Sequence, residues 1–232
     1  MDNPYVERIG EATGKLLASV GRLDDVAATG HSLLPEWDRS MVVTHLAANA
    51  DGTRRALEAA ARGEVVEVYP GGRPARNAEI AAGRARPARE LEQRLRRACE
   101  QLAVALANAS DDAWEARALH PSGEVRIGPG LVVSRLREVE VHHVDLDYGY
   151  DPQDWPFAWV LEEMDRAMID LPARLPPGVA VVLTGSDAGQ HWVAGSGDGV
   201  EIIGTTNDLF AWLTGRAPGV GEQECPPLTP WR

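Results

Sequence analysis

Apolar residues recur at helical spacing through the first 150 residues, and short β-rich runs replace them toward the carboxyl end. This switch of period constrains the fold most, because a 3.6-residue pattern and a strand pattern bury different faces. One helix is predicted from residue 5 to about 26 and a second from Asp38 to about residue 62, with Asp38 as amino-terminal cap and Gly63 as stop. Leu46, Ala50 and Leu57 give the second an apolar stripe. After a loop rich in Pro and Gly at 69–74, a short helical piece runs over 76–80. A long helix follows from Pro87, suited to a first turn, to about Asn108, with Leu91, Leu95, Leu102 and Leu106 on its buried face. A small hairpin around Pro121-Ser122-Gly123 is expected between 113 and 127, then a further helix from near Pro129 to near Gly149. Four main helices suffice for an antiparallel bundle.

Beyond Tyr150 the segment 151–156 reads as a linker, followed by a helix over 157–174, strands at 179–183, 190–194 and 200–204, a last helix over 207–214 and a Pro-rich tail. The expected class is α+β: a four-helix bundle over 1–150 followed by a smaller α+β domain over 151–232.

Within the fourth helix, Glu138 and His142 are four residues apart, which stacks a carboxylate and an imidazole on one face. His45, in an earlier amphipathic helix, is the best-placed third ligand. Two imidazoles, one carboxylate and a coordination position left for water or substrate make the composition of a catalytic rather than a structural zinc site. A rival set, Glu140, His143 and Asp147, shares the adjacent face, and periodicity does not choose between them; one of the two faces is expected to be wet. Asp145, three residues after His142, could orient that imidazole, but its place at an acidic helix end favours a carboxylate exposed to water.

The 232 residues carry 23 basic and 35 acidic side chains, a formal charge of −12, which repels nucleic acid and anionic membrane surfaces. No run approaches the roughly 18 apolar residues of a membrane span and the amino terminus lacks a leader pattern, so a cytoplasmic protein is expected. Cys99 and Cys225 are far apart and outside any CxxC, which indicates neither a thiolate zinc site nor a disulfide framework.

The succession of Trp37 with the HLA of 45–47, ARNAEIA at 75–81, REVEVHHVDL at 137–146 and LTGR at 213–216 resembles the mycothiol-dependent maleylpyruvate isomerases of actinobacteria, over nearly the whole chain. That resemblance implies a DinB-like metal-binding bundle with a separate α+β carboxyl-terminal domain. It implies His45, Glu138 and His142 as ligands of a divalent metal, zinc by its chemistry, and mycothiol as cofactor. It implies catalytic roles for Arg216 and for Arg76; the bland alternative for Arg216 is that it bonds the carbonyls ending its own helix, and for Arg76 the sequence favours a bland role over a catalytic one. The implied reaction adds a metal-bound thiolate to the cis double bond of maleylpyruvate, lets the resulting single bond rotate, and expels the thiol to leave fumarylpyruvate.

Two other functions compete. A mycothiol S-transferase would use the same metal residues to join the thiol to a small electrophile. A non-catalytic binding protein would hold a metal or an apolar ligand, its seven Trp residues lining a pocket or, more simply, filling the core. A metal-dependent hydrolase would need Glu115 or Asp51 as base, and no motif positions either.

Overall fold

The computed structural model describes residues 4–110, 114, 117–119 and 125–231. Backbone contacts divide the chain into two compact units, one ending at Tyr150 and one starting at Asp151.

The first unit is built on four long helices, α1 (Pro4–Val20), α3 (Arg39–Ala60), α5 (Ala88–Ala107) and α6 (Gly128–Asp145), with a single turn α2 (Asp25–Ala28) and a shorter α4 (Gly72–Ala82) between them. α3 packs against α5 and α6, and α1 against α6 and α5, closing a four-helix bundle. Its core is filled by Leu16, Leu46, Leu57, Leu91, Leu95, Leu102 and Leu136, all fully buried. Asp38 caps α3 as expected, its carboxylate accepting from the Met41 amide at 3.0 Å, and Gly63 beyond the helix end takes a φ of 70°.

Three boundaries differ from the periodic reading. α1 stops at Val20 rather than near 26, because Asp24 caps a new turn by accepting from the Ala27 amide at 2.7 Å. That turn brings Asp25 Oδ1 within 2.7 Å of the Ala88 amide, so α5, whose own cap position is Pro87, receives its capping acceptor from α2. α4 is a full 11 residues, and α6 ends at Asp145, short of Gly149, where Asp147 turns to a φ of 49°. Of the expected hairpin, β2 (Arg117–Leu119) and β3 (Val125–Ile127) pair antiparallel, and the turn at 121–123 lies outside the described residues. A two-residue β1 (Val66–Glu67) joins β2 in parallel and is too short to leave a pattern of period two.

The second unit holds α7 (Phe157–Arg174), a three-stranded sheet of β4 (Val179–Gly185), β5 (Gln190–Gly195) and β6 (Asp198–Gly204), and α8 (Thr206–Thr214). The order is β5-β4-β6, with β5 antiparallel and β6 parallel to the central strand. Val181 and Leu183 alternate with half-buried residues and meet Trp159, Leu171, Ile202, Leu209 and Phe210 in one core. Trp155, Trp159, Trp192 and Trp212 are all buried, so core packing is their role. At the edge of β6 the Gln223 amide bonds both the N–H and the carbonyl of Ile203, satisfying groups that would otherwise template another strand. The architecture is the α+β arrangement expected. No described helix is long and apolar enough to cross a membrane.

Candidate metal centre

α3 delivers His45 two turns after its Asp38 cap, and α6 delivers Glu138 and His142 one turn apart. Glu138 Oε2 lies 2.7 Å from His45 Nε2 and 3.3 Å from His142 Nε2. The two imidazole rings stand 4.7 Å apart, centroid to centroid, and nearly perpendicular. One ligand atom from each of the three residues lies within 4.8 Å of the others. A divalent cation suits this set: two imidazoles and a carboxylate, borderline donors converging from two rigid helices.

The electrostatics of the trio are asymmetric. Burial holds the His45 imidazole down to about 4 even though Glu138 pulls it up. Burial also acts against the charged form of His142, but hydrogen bonds to Asp145 and Glu138 outweigh it and push that imidazole up to about 9. Burial likewise opposes ionisation of Glu138, and the two imidazoles overcome it to hold the carboxyl well below its ordinary value. Near neutral pH, with no cation present, this gives a neutral His45, a carboxylate at Glu138 and an imidazolium at His142.

The outer nitrogens of the two rings face opposite chemistry. Asp145 Oδ2 is 2.7 Å from His142 Nδ1, whereas Arg76 Nη2 donates to His45 Nδ1 at 3.1 Å. Asp145 is 1% exposed, which corrects the expectation of a water-exposed helix end: the carboxylate is sealed inside and spends its charge on the imidazole. Arg76 is half-buried, not simply solvated, with its guanidinium 5.9 Å from the ring centre of Trp37 and 5.5 Å from that of Tyr69. Gly83, just past α4, lets that end of the chain lie close on α3, since a Cβ there would collide with the Thr44 side chain beside His45. Tyr69 and Asn49, joined by a 3.4 Å hydrogen bond, complete the wall. Tyr69 reaches the site through the packing of the segment before α4 on α3, which no local pattern signals, whereas Asn49 stands on α3 one turn after His45.

The face of α6 with Glu138 and His142 is half-buried, and the rival face is sealed. His143 Nε2 is 2.9 Å from Ser19 Oγ of α1 and its ring stacks on Tyr150, while Tyr150 donates to Glu140 at 2.6 Å. Glu140 and His143 are each 2% exposed. α6 is flanked by α3 on one side and α1 on the other, so both faces are covered and periodicity could not separate them. Asp147, the third member of the rival set, lies past the helix end and pairs with Arg39 at 3.6 Å. Asp51, considered as a hydrolytic base, is held by Arg94 of α5 at 2.5 Å; Glu115 lies outside the described residues. Arg216 belongs to the second unit, directly after the α8 cap Gly215, where it donates to the Thr214 carbonyl at 2.6 Å.

The family profile described as mycothiol maleylpyruvate isomerase N-terminal domain matches residues 9–147. Two crystal structures of a mycothiol-dependent maleylpyruvate isomerase, one of them a histidine-to-alanine mutant, superpose on the chain. The mutant aligns with a TM-score of 0.88 and the other with 0.85; each is 26% identical and covers 99% of this chain and 98% of its own. No curated protein matches by sequence.

Proposed function

The chain belongs to the mycothiol maleylpyruvate isomerase family, and from that premise we propose that it converts maleylpyruvate to fumarylpyruvate with mycothiol as cofactor and a divalent cation, zinc by its donor set, at His45, Glu138 and His142. The observation that carries this reading is the convergence of those three donors within 4.8 Å in a chain of this family. When bound, the cation and the thiol together supply a thiolate able to add reversibly to a conjugated cis double bond and so free it to rotate.

The chain's own groups do the rest. Asp145 accepts the Nδ1 proton of His142 and so keeps Nε2 directed at the Glu138 side. Trp37 and Tyr69 hold the Arg76 guanidinium beside His45, where its planar fork matches a substrate carboxylate. Burial pushes both thiols, Cys99 and Cys225, above their ordinary value, which disfavours a protein thiolate and suits an external thiol. For Arg216 the LTGR resemblance implies a catalytic role, set against the helix-end role in which its guanidinium donates to the Thr214 carbonyl.

Metal analysis and a mycothiol assay with maleylpyruvate test the reading on wild type and on His45→Ala, Glu138→Ala and His142→Ala. We expect about one zinc per chain, lost in the variants, and fumarylpyruvate formed only when mycothiol is added. A wild type that binds no metal would overturn the site. Metal with no isomerisation, and a stable thioether accumulating instead, would make the protein an S-transferase.

A further inference from the structure

We propose that Arg135 is a positioning residue, a brace one turn before Glu138 that fixes the spacing between the two helices bearing the metal ligands. The inference rests on the metal reading above. Arg135 is 1% exposed and lies at the junction of three helices. From α6, its Nη1 donates to the Leu46 carbonyl at 3.0 Å and to Asn49 Oδ1 at 2.8 Å on α3, and its Nη2 contacts Cys99 Sγ on α5 at 3.5 Å. Its Nε is buried without a hydrogen-bond partner, and no carboxylate pairs with it among the described residues.

A buried cation with no counter-charge is a poor way to hold three helices together, because an apolar side chain of similar length would fill the space without the desolvation cost. What Met or Leu could not supply is a directed grip on chosen atoms. The guanidinium fork has fixed geometry, and here it grips α3 at the residue directly after His45 and again one turn later. Arg135, Glu138 and His142, spaced by three and four, share the face of α6 turned to α3. The pairs Arg135 with Asn49 and Glu138 with His45 run in opposite numerical order, so the two helices cross antiparallel with the brace and the ligand pair as adjacent rungs. The brace also extends outward. Asn49 Nδ2 donates to Tyr69 Oη, and the Tyr69 ring supports Arg76. One buried guanidinium thereby indexes both the metal ligands and the proposed carboxylate-binding wall.

Cobalt(II) supplies the test, since its visible spectrum reports coordination geometry independently of turnover. Purified protein is stripped and reloaded, and affinity, spectrum and the thermal midpoint of the metal-free form are measured for wild type, Arg135→Met and Arg135→Lys. We expect the Met variant to keep or raise the metal-free midpoint, to bind Co(II) about 10- to 100-fold more weakly and to show an altered band, with Lys restoring part of the affinity through one acceptor. Wild-type affinity and spectrum in the Met variant, or an affinity loss that only tracks a lost midpoint, would overturn the proposal. If the Met variant does not fold, Asn49→Ala decides by the same readouts: a smaller loss with a changed spectrum supports the brace, and no change rejects it. A wild type that fails to bind Co(II) sinks the metal reading and the brace together, an outcome distinct from a brace that alone fails.

Discussion

Asp145 Oδ2 lies 2.7 Å from His142 Nδ1, so the ring is fixed from the side away from Glu138. A buried carboxylate on the far nitrogen sets the tautomer and raises the basicity of the ligating one. Asp145→Asn should therefore weaken metal binding by about 10- to 100-fold while leaving the ligands themselves in place. Competition with a chromophoric chelator measures this; an unchanged dissociation constant would show that Asp145 only fills a polar gap.

The opposed shifts of His45 and His142 give the metal-stripped protein a stability maximum. His142 is raised from 6.5 to about 9, so the folded form keeps a proton that the unfolded chain loses; that contribution is complete below 6.5 and disappears as pH rises through 9. His45 is lowered from 6.5 to about 4, so its contribution is present above 6.5 and is lost as pH falls through 4. Glu138, held low, adds to the loss on the acid side. Thermal midpoints of chelator-treated protein across this range should peak near 6.5, and His142→Ala should abolish the alkaline decline but not the acid one. A decline that survives in that variant would assign it to other groups.

How much of this was legible in the chain depends on whether the information was local. Asp38, Gly63 and the Leu91-Leu95-Leu102 stripe act within one helix, and the helices stand where those signals put them. The Glu138 to His142 spacing is equally local, and the structure brings His45 to it. Choosing between the two faces of α6 was not possible, because burial by α1 and α3 together erases the amphipathic contrast on which the choice would depend. Asp145 is buried although an acidic helix end usually faces water, and its carboxylate meets the His142 ring. Tyr69, Asn49 and Arg135 meet through packing between distant segments, which no local pattern announces.

Support for α3 can be separated from the site it carries. The Asp38 carboxylate accepts from the Met41 amide and pairs with Arg84 at 2.9 Å, two turns before His45. Replacing an Asp cap by Ala costs about 1 kcal/mol, and the exposed half of the Arg84 pair adds little. Asp38→Ala should lower stability by about that amount in urea titration with metal stoichiometry retained. Lost metal with unchanged stability would mean that the cap shapes the site directly.

Arg76 offers a prediction in which two quantities move apart. Its Nη2 donates to His45 Nδ1, which leaves the single proton of the neutral ring on Nε2, the nitrogen facing Glu138. A cation at Nε2 needs that proton moved to Nδ1, where it would confront the Arg76 donor, so guanidinium and cation compete for one imidazole. Arg76→Met removes the competitor and should leave metal affinity equal or tighter. On the proposed role, the same change also removes a charge-assisted carboxylate contact worth about 2 kcal/mol, which should cost roughly 30-fold in kcat/KM for maleylpyruvate. Metal titration and steady-state kinetics on the one variant check both. Weaker metal binding together with intact kcat/KM would reverse the assignment, making Arg76 a support for His45 and not a group that meets substrate.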